Sequence, residues 1–442
     1  MNIAVTPLFH PPAPPRRDKP LSTLGILSAL ARNPVEIWSQ AHFERPMLIG
    51  QTWFGSRAVV SDPAAVRRVL LENVVNYRKD EVQLRILRPG LGTGLLTAEG
   101  ETWKAQRRAL APLFSPRQVA SFAPAMHRVA QNAAEALGEG GAVRADEEMG
   151  IVALKVLEQT LFSTGIAREA SQFQQAVSHY FETIGRIDPL DVLGAPDFIP
   201  RLGRLRGKDS LRFFASAVDD IIGARRALIA SGAPAPEDRL TEEDVRANII
   251  TFIGAGHETT ANALTWTLYL LSQAPDWRAR VEAEIDLEFD PADETDPTES
   301  LPVTRAVFEE AMRLYPPAAL LTREAISEDW LAGHRVPAGT VVSISPYVLH
   351  RHKTLWRDPD AFDPSRFLPG AREKIDRYAY LPFGAGPRVC IGQAFAMQEG
   401  LIVLAHYLRR LRFDLMPGHR VELQQRITLR PRFGMKMIAR RR

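Results

Sequence analysis

The stretch Phe383-Gly384-Ala385-Gly386-Pro387-Arg388-Val389-Cys390-Ile391-Gly392 constrains this chain more than any other. It holds the only cysteine, with glycines at 384, 386 and 392 and a proline at 387. A helical pattern follows at once, with Phe395, Leu401, Leu404, Ala405, Leu408 and Leu411 on one stripe. A tight turn therefore presents one thiol at the start of a buried helix. Backbone N–H groups and the positive end of the helix dipole favour an anion there. A lowered thiol pKa is the expectation.

A disulfide or a CxxC redox pair needs a second cysteine, and the clustered Cys and His ligands of a structural zinc site are absent. Two uses stay open for the thiolate: a catalytic nucleophile, or the axial ligand of a haem iron. The spacing Phe-x-x-Gly-x-Arg-x-Cys-x-Gly resembles the haem-binding loop of the cytochrome P-450 superfamily. That resemblance implies that Cys390 is the iron ligand, that Phe383 packs beside the sulfur, that Arg388 meets a haem propionate and that Gly392 also contacts the haem.

Composition agrees with an enzyme of that kind without pointing to it. The 442 residues are 45% hydrophobic and 24% charged, ordinary for a globular enzyme with a sizeable core. The net charge of +3 does not suggest nucleic acid, and one cysteine excludes a disulfide scaffold. Residues 1–20 are Pro-rich (Pro11-Pro12-Ala13-Pro14-Pro15) and hold neither a signal-peptide core nor a span of about 20 apolar residues. Membrane-bound relatives begin with an anchor and a proline-rich hinge; this chain resembles the hinge without the anchor. A soluble, cytoplasmic, bacterial-type protein is the expectation.

In chain order, residues 22–32 show helical spacing, and 46–51 and 53–60 read as strands. Asp62-Pro63 starts a helix to about Asn73. Residues 78–99 read as an irregular, Gly-rich connection; their Gly90-Leu91-Gly92-Thr93-Gly94 misses the dinucleotide fingerprint because the third glycine is misplaced. Trp103 and Arg107 share a helix face. Helices are expected on to about residue 232, broken by Pro189, Gly194, Pro196 and Pro200, and residues 231–240 read as a linker. Gly203 to Ser210 has the wrong spacing for a phosphate loop. A long helix is predicted from about Thr241 to Ser272, with Thr241 and Asp244 as a capping pair. Its centre is Ala255-Gly256-His257-Glu258-Thr259-Thr260, where small residues admit a flat ligand and glycine with paired threonines invites a local bulge. His257-Glu258 opens like HExxH, but position 261 is alanine, so the second zinc ligand is missing. Later come Glu310-x-x-Arg313 before Pro316-Pro317, a strand opening at Thr322-Arg323, a hairpin over 331–344 and strand patterns over 412–439.

The resemblance covers about residues 35–440 and gives these segments roles. It implies a mainly α fold with a small β region (α+β), the haem lying between the long central helix and the helix after Cys390. Residues 1–34 would be a Pro-rich arm and 35–442 a single catalytic domain. Trp103, Arg107 and Arg323 would join Arg388 at the propionates, while Leu95, Ala255 and Gly256 contact the haem. Glu258 and Thr259 would steer protons during oxygen activation. Glu310, Arg313 and Arg366 would form a buried triad, and Leu96, Ala255, Thr259, Ala318 and Leu320 would line an apolar substrate space.

The implied activity is a haem-thiolate monooxygenase with haem b. It would insert one atom of O2 into a fatty acid, terpenoid or similar apolar molecule. Electrons would come from a separate ferredoxin or flavin-type reductase, since the chain has no room for its own. Lys104, Arg108, Arg409, Arg410 and Arg412 could give that partner a positive face. A monomer is expected. Three rivals are a peroxide-driven enzyme of the same fold, a non-catalytic haem sensor or electron carrier, and a cysteine-nucleophile hydrolase using His350 or His257.

Overall fold

The computed structural model describes residues 7–52, 55–162 and 240–442, with scattered positions between 163 and 239. The interrupting Pro189, Gly194, Pro196 and Pro200, the loop 203–210 and most of the linker 231–240 lie outside the described residues. Helices among the described residues are α1 (Thr23–Arg32), α2 (Pro63–Arg67), α3 (Glu81–Leu91), α4 (Gly100–Leu110), α5 (Pro116–Ala120), α6 (Ala123–Ala136), α7 (Ala145–Thr160), α8 (Glu242–Gln273), α9 (Pro275–Glu288), α10 (Pro302–Leu314), α11 (Pro346–Leu349) and α12 (Gln393–Arg410). No described helix is long and apolar enough to cross a membrane.

The β region is small and sits beside the helices. β1 (Met47–Thr52), β2 (Gly55–Val60), β3 (Tyr77–Arg78), β5 (Leu321–Ala325) and β8 (Val341–Ile344) form one sheet in the order β1-β2-β8-β5-β3. Only β2 and β8 run parallel in it. β4 (Gly140–Arg144), β12 (Lys436–Arg441) and β9 (Leu411–Leu415) form a second sheet, in that order. β6 (Asp329–Leu331) with β7 (His334–Val336), and β10 (Leu423–Gln425) with β11 (Leu429–Pro431), are two hairpin-like pairs.

The central element is α8. Thr241 and Asp244 form a reciprocal capping box at its start, which satisfies two orphan N–H groups. At 32 residues it is about 48 Å long at the standard rise. Its second half is buried on every side from Thr260 to Leu271, so the helix runs through the core rather than over it. α7 packs along it, and α10 and α12 cross it. Edge-to-face rings tie α8 to the start of α12: Phe252 meets Phe114 at 5.4 Å, and Phe114 meets Phe395 at 6.4 Å.

Three local expectations are corrected. Residues 78–99 are not wholly irregular: α3 occupies 81–91, capped by the Asp80 carboxylate and burying Leu84, Leu87 and Leu91. Pro89 and Gly90 fall in its last turn, and Gly92 at φ 63° ends it. The segment around Ala255 to Thr260 is unbroken α-helix without a bulge; the π-helical stretch is Arg68–Glu72 instead. The strand at 140–144 breaks what read as continuous helix, because β12 recruits it from the far end of the chain.

Residues 7–17 lie across the fold. Phe9 O accepts from Phe362 N at 2.8 Å, Pro12 O accepts from the buried Tyr315 hydroxyl at 3.0 Å, and Arg16 pairs with Asp360 at 2.5 Å.

Buried histidines make stability depend on pH, His257 and His406 among them. Burial holds His257 down to about 4, with only a loose approach to the Gly150 backbone in return. Burial, with neighbouring His127, holds His406 down to about 3. Unfolded histidine titrates near 6.5, so both groups stabilise the fold fully above that pH. Below it the unfolded chain takes up protons that the folded chain refuses. Each such histidine then costs up to about 1.4 kcal/mol per pH unit until its own folded pKa is reached. Thermal melts should fall steadily from pH 6.5 to 4, and His257→Gln should flatten that slope.

Candidate functional site

The loop before α12 is held by its glycines and by the backbone. Gly384 and Gly386 both have φ of 72°, a region that L side chains avoid. At Gly386 a Cβ would lie 1.8 Å from Leu70 O, so no other residue fits. Residues 386–388 form a single 3₁₀ turn, and the Cys390 N–H donates to Phe383 O at 2.9 Å. Phe383 is half-buried against the main core.

Cys390 lies deep in the protein, yet its surface is open to an internal space. Its thiol pKa is raised, not lowered as the sequence suggested. Burial pushes it up, and the Gly392 N–H and the Arg107 guanidinium only partly offset this. The helix-start argument holds in direction but loses to desolvation. A bound metal cation would reverse that balance and take the thiolate.

Four cations gather beside this loop. Arg107 donates to Val389 O at 3.1 Å. Arg388 donates to Ala98 O at 2.9 Å, pairs with Glu99 at 2.8 Å and lies 4.3 Å above the Trp103 ring. Trp103 thus stacks on Arg388 and not only beside Arg107. Arg323 donates to its neighbour's carbonyl, Thr322 O, and burial and then Arg388 lower its pKa to about 10. Lys79 donates to Leu96 O, and burial, Arg388 and Arg323 bring it down to about 7. Glu99 is the one acid that acts favourably on both Lys79 and Arg323. Cations clustered this closely, with Lys79 buried and the three arginines half-buried, are costly unless anions join them. A haem has two carboxylates to offer, so the donor set fits the cofactor expected from the resemblance. Lys79 was missed because nothing in its spacing foretells burial.

On α8, Ala255 is exposed in a helix whose neighbours Ile253 and Gly254 are buried. α8 packs on α12, the helix that starts just after Cys390. Gly256 serves a different contact: a Cβ there would lie 3.1 Å from Leu157 Cδ2 on α7. The Thr259 hydroxyl donates back to Ala255 O at 2.5 Å, and Glu258 is half-buried. Leu95 is buried, Leu96 exposed, and Ala318 and Leu320 half-buried.

Glu310, Arg313 and Arg366 meet. Arg313 and Glu310, both fully buried, form a two-pronged pair at 2.6 and 2.8 Å. Arg366 approaches Glu310 at 3.6 Å, an ion pair rather than a hydrogen bond. Arg313 also donates to His350 O, Pro359 O and Ala361 O. Buried His350 continues the chain. Its Nδ1 lies 3.2 Å from Arg313 O, and its Nε2 accepts from Leu381 N at 2.7 Å. Both ring nitrogens are used structurally, so His350 is not free to serve as a hydrolase base.

The proposed positive face is partly neutralised. Lys104 pairs with Glu101, Arg410 with Glu135 and Arg412 with Glu282, while Arg409 donates to Phe289 O. Arg108 is exposed, with no ion pair among the described residues.

A family model described as Cytochrome P450 matches residues 15–436. Cyclooctatin synthase of Streptomyces melanosporofaciens is 33% identical, over 83% of this chain and 83% of that one. Pentalenene oxygenase of Streptomyces avermitilis is 33% identical, over 82% of this chain and 83% of that one. The crystal structure of CYP175A1 from Thermus thermophilus superposes with a TM-score of 0.72 at 32% identity, covering 90% of this chain and 92% of its own.

Proposed function

The chain belongs to the cytochrome P450 family and is a P450 monooxygenase; on that premise we propose that it oxygenates a terpenoid hydrocarbon, using haem b held by Cys390. The observation that carries this reading is the Cys390 thiol, exposed despite its depth, beside four buried or half-buried cations, of which Lys79, Arg323 and Arg388 share the single carboxylate of Glu99. Haem b is the form without thioether links, and the chain has no second cysteine to make one. The terpenoid class is supported by relatives whose names specify cyclooctatin and pentalenene chemistry.

When bound, a thiolate-ligated haem supplies the activation of O2 and the insertion of one oxygen atom. The protein does the rest. Lys79, Arg107, Arg323 and Arg388 would bind the two carboxylates, with Trp103 stacked on Arg388. Exposed Ala255 lets a flat ring lie against α8. Thr259 and Glu258 on α8 would hold and pass protons to the site where O2 is activated. Leu96, Ala318 and Leu320 offer an apolar wall that orients substrate without fixing a charge. Arg108 is the first contact offered to an acidic electron-donor protein.

The test is a carbon monoxide difference spectrum of the haem-loaded protein. Turnover of cyclic terpene hydrocarbons with a bacterial ferredoxin and its reductase would follow. A thiolate-type spectrum and a product heavier by one oxygen are expected; fatty acids consumed in preference to every terpene would overturn the substrate class.

Lys79→Met should speed haem loss at least about fivefold, since one carboxylate then loses a charge-assisted partner, a change of about 1 kcal/mol or more. Transfer of haem to an apo-globin acceptor measures it.

A further inference from the structure

The segment Gly92–Ala98 is fastened at four points within six residues. Gln106 on α4 donates to Thr93 O at 2.8 Å and also to Asp244 at 2.7 Å. Asn248 on α8 accepts from Leu95 N at 2.8 Å. Lys79 donates to Leu96 O, and Arg388 of the cysteine loop to Ala98 O. The segment therefore bridges α8 to the cysteine loop.

Its fit to α8 is close. At Gly94 a Cβ would lie 2.5 Å from Thr251 Oγ1 and 2.7 Å from Ala247 O. Asn248 is 2% exposed, and its own amide is fixed by donation to Asp244 O at 2.8 Å. The acceptor presented to Leu95 is thus set by the helix backbone. Leu95 turns into the core, and the next residue, Leu96, is 39% exposed at the middle of the bridge. Leu96 follows Leu95 directly, so the bond that fixes the Leu95 N–H also sets where the Leu96 backbone stands.

We propose that Asn248 is a positioning residue for substrate selection: by holding the Leu95 N–H it sets how far Leu96 projects into the cavity over the haem. This rests on the haem-thiolate reading above. Asn248 itself is placed to touch neither cofactor nor substrate.

The test compares two haem ligands of different bulk, imidazole and 4-phenylimidazole, in spectral titrations of the haem-loaded protein. Each variant is first checked by its carbon monoxide spectrum. Asn248→Leu removes the acceptor and should change the 4-phenylimidazole Kd at least about fivefold, with the imidazole Kd moving less than about twofold. Asn248→Asp retains an acceptor and should stay within about twofold of wild type for both ligands. Should Asn248→Leu fail to hold haem, Asn248→Ser makes the same comparison. An unchanged ratio overturns the proposal, as do equal shifts for both ligands or matching shifts in the Leu and Asp variants. Failure of both Leu and Ser variants to hold haem, with Asp loaded, makes Asn248 a folding determinant and overturns it too. No thiolate-type spectrum in the wild type would instead sink the functional reading.

Discussion

Cys390→Ser should leave less than about one part in a thousand of the oxygenation rate, a loss of roughly 4 kcal/mol in the barrier. The reason lies in the ligand's chemistry. The buried thiol already has a raised pKa, and only Arg107, the Gly392 N–H and a bound metal favour its ionised form. A serine hydroxyl at the same place is far harder to ionise and a poorer donor of electron density. The loop itself should survive, because its geometry rests on Gly384, Gly386 and the bond from the residue 390 N–H to Phe383 O, none of which needs sulfur. The variant should therefore fold, hold haem weakly through the cation cluster, and give a carbon monoxide spectrum without the thiolate signature. Wild-type colour and yield in the serine variant would refute Cys390 as the ligand.

That experiment probes the part of the site most legible in the sequence. Gly384, Gly386, Pro387 and Cys390 act through local backbone rules, so their spacing alone describes a turn with a thiol at its end. The capping box at Thr241 and Asp244 was equally local and placed the start of α8 to within a residue. What stayed hidden depends on contacts distant in sequence. Lys79 looks like any surface lysine until Arg323, Arg388 and the Leu96 carbonyl close around it. Asn248 is one polar residue in an amphipathic stretch until the Leu95 N–H arrives from 153 positions away. Strand β4, with three glycines in and beside it, has little strand propensity, and pairing with β12 imposes its conformation. The thiol's raised pKa belongs with these, because the helix-start effect is local whereas desolvation is set by everything packed around the loop.

Glu310→Ala should be the most damaging change outside Cys390. A lone Glu-x-x-Arg on a helix surface is worth under about 0.5 kcal/mol. Here both side chains are fully buried, and Glu310 also accepts from Asp363 N at 2.8 Å. Removing the carboxylate strands Arg313 as a buried charge, which costs about 3–5 kcal/mol. Total stability is about 5–15 kcal/mol, so a large part of the population should unfold. The damage should also reach the cofactor. Arg313 binds the His350, Pro359 and Ala361 carbonyls, and His350 carries the connection to Leu381 N, two residues before Phe383. Low haem content in the soluble fraction is therefore expected with Cys390 untouched. Glu310→Gln keeps an acceptor for Asp363 N but not the charge, and should fall between alanine and wild type. The double variant Glu310→Ala with Arg313→Met removes both charges together and should recover part of the loss, a coupling of about 1–3 kcal/mol in thermal or denaturant melts. If the double variant were instead as unstable as the sum of its parts, the pair would not be an interacting unit, and the route from α10 to the cysteine loop through His350 would have to be abandoned.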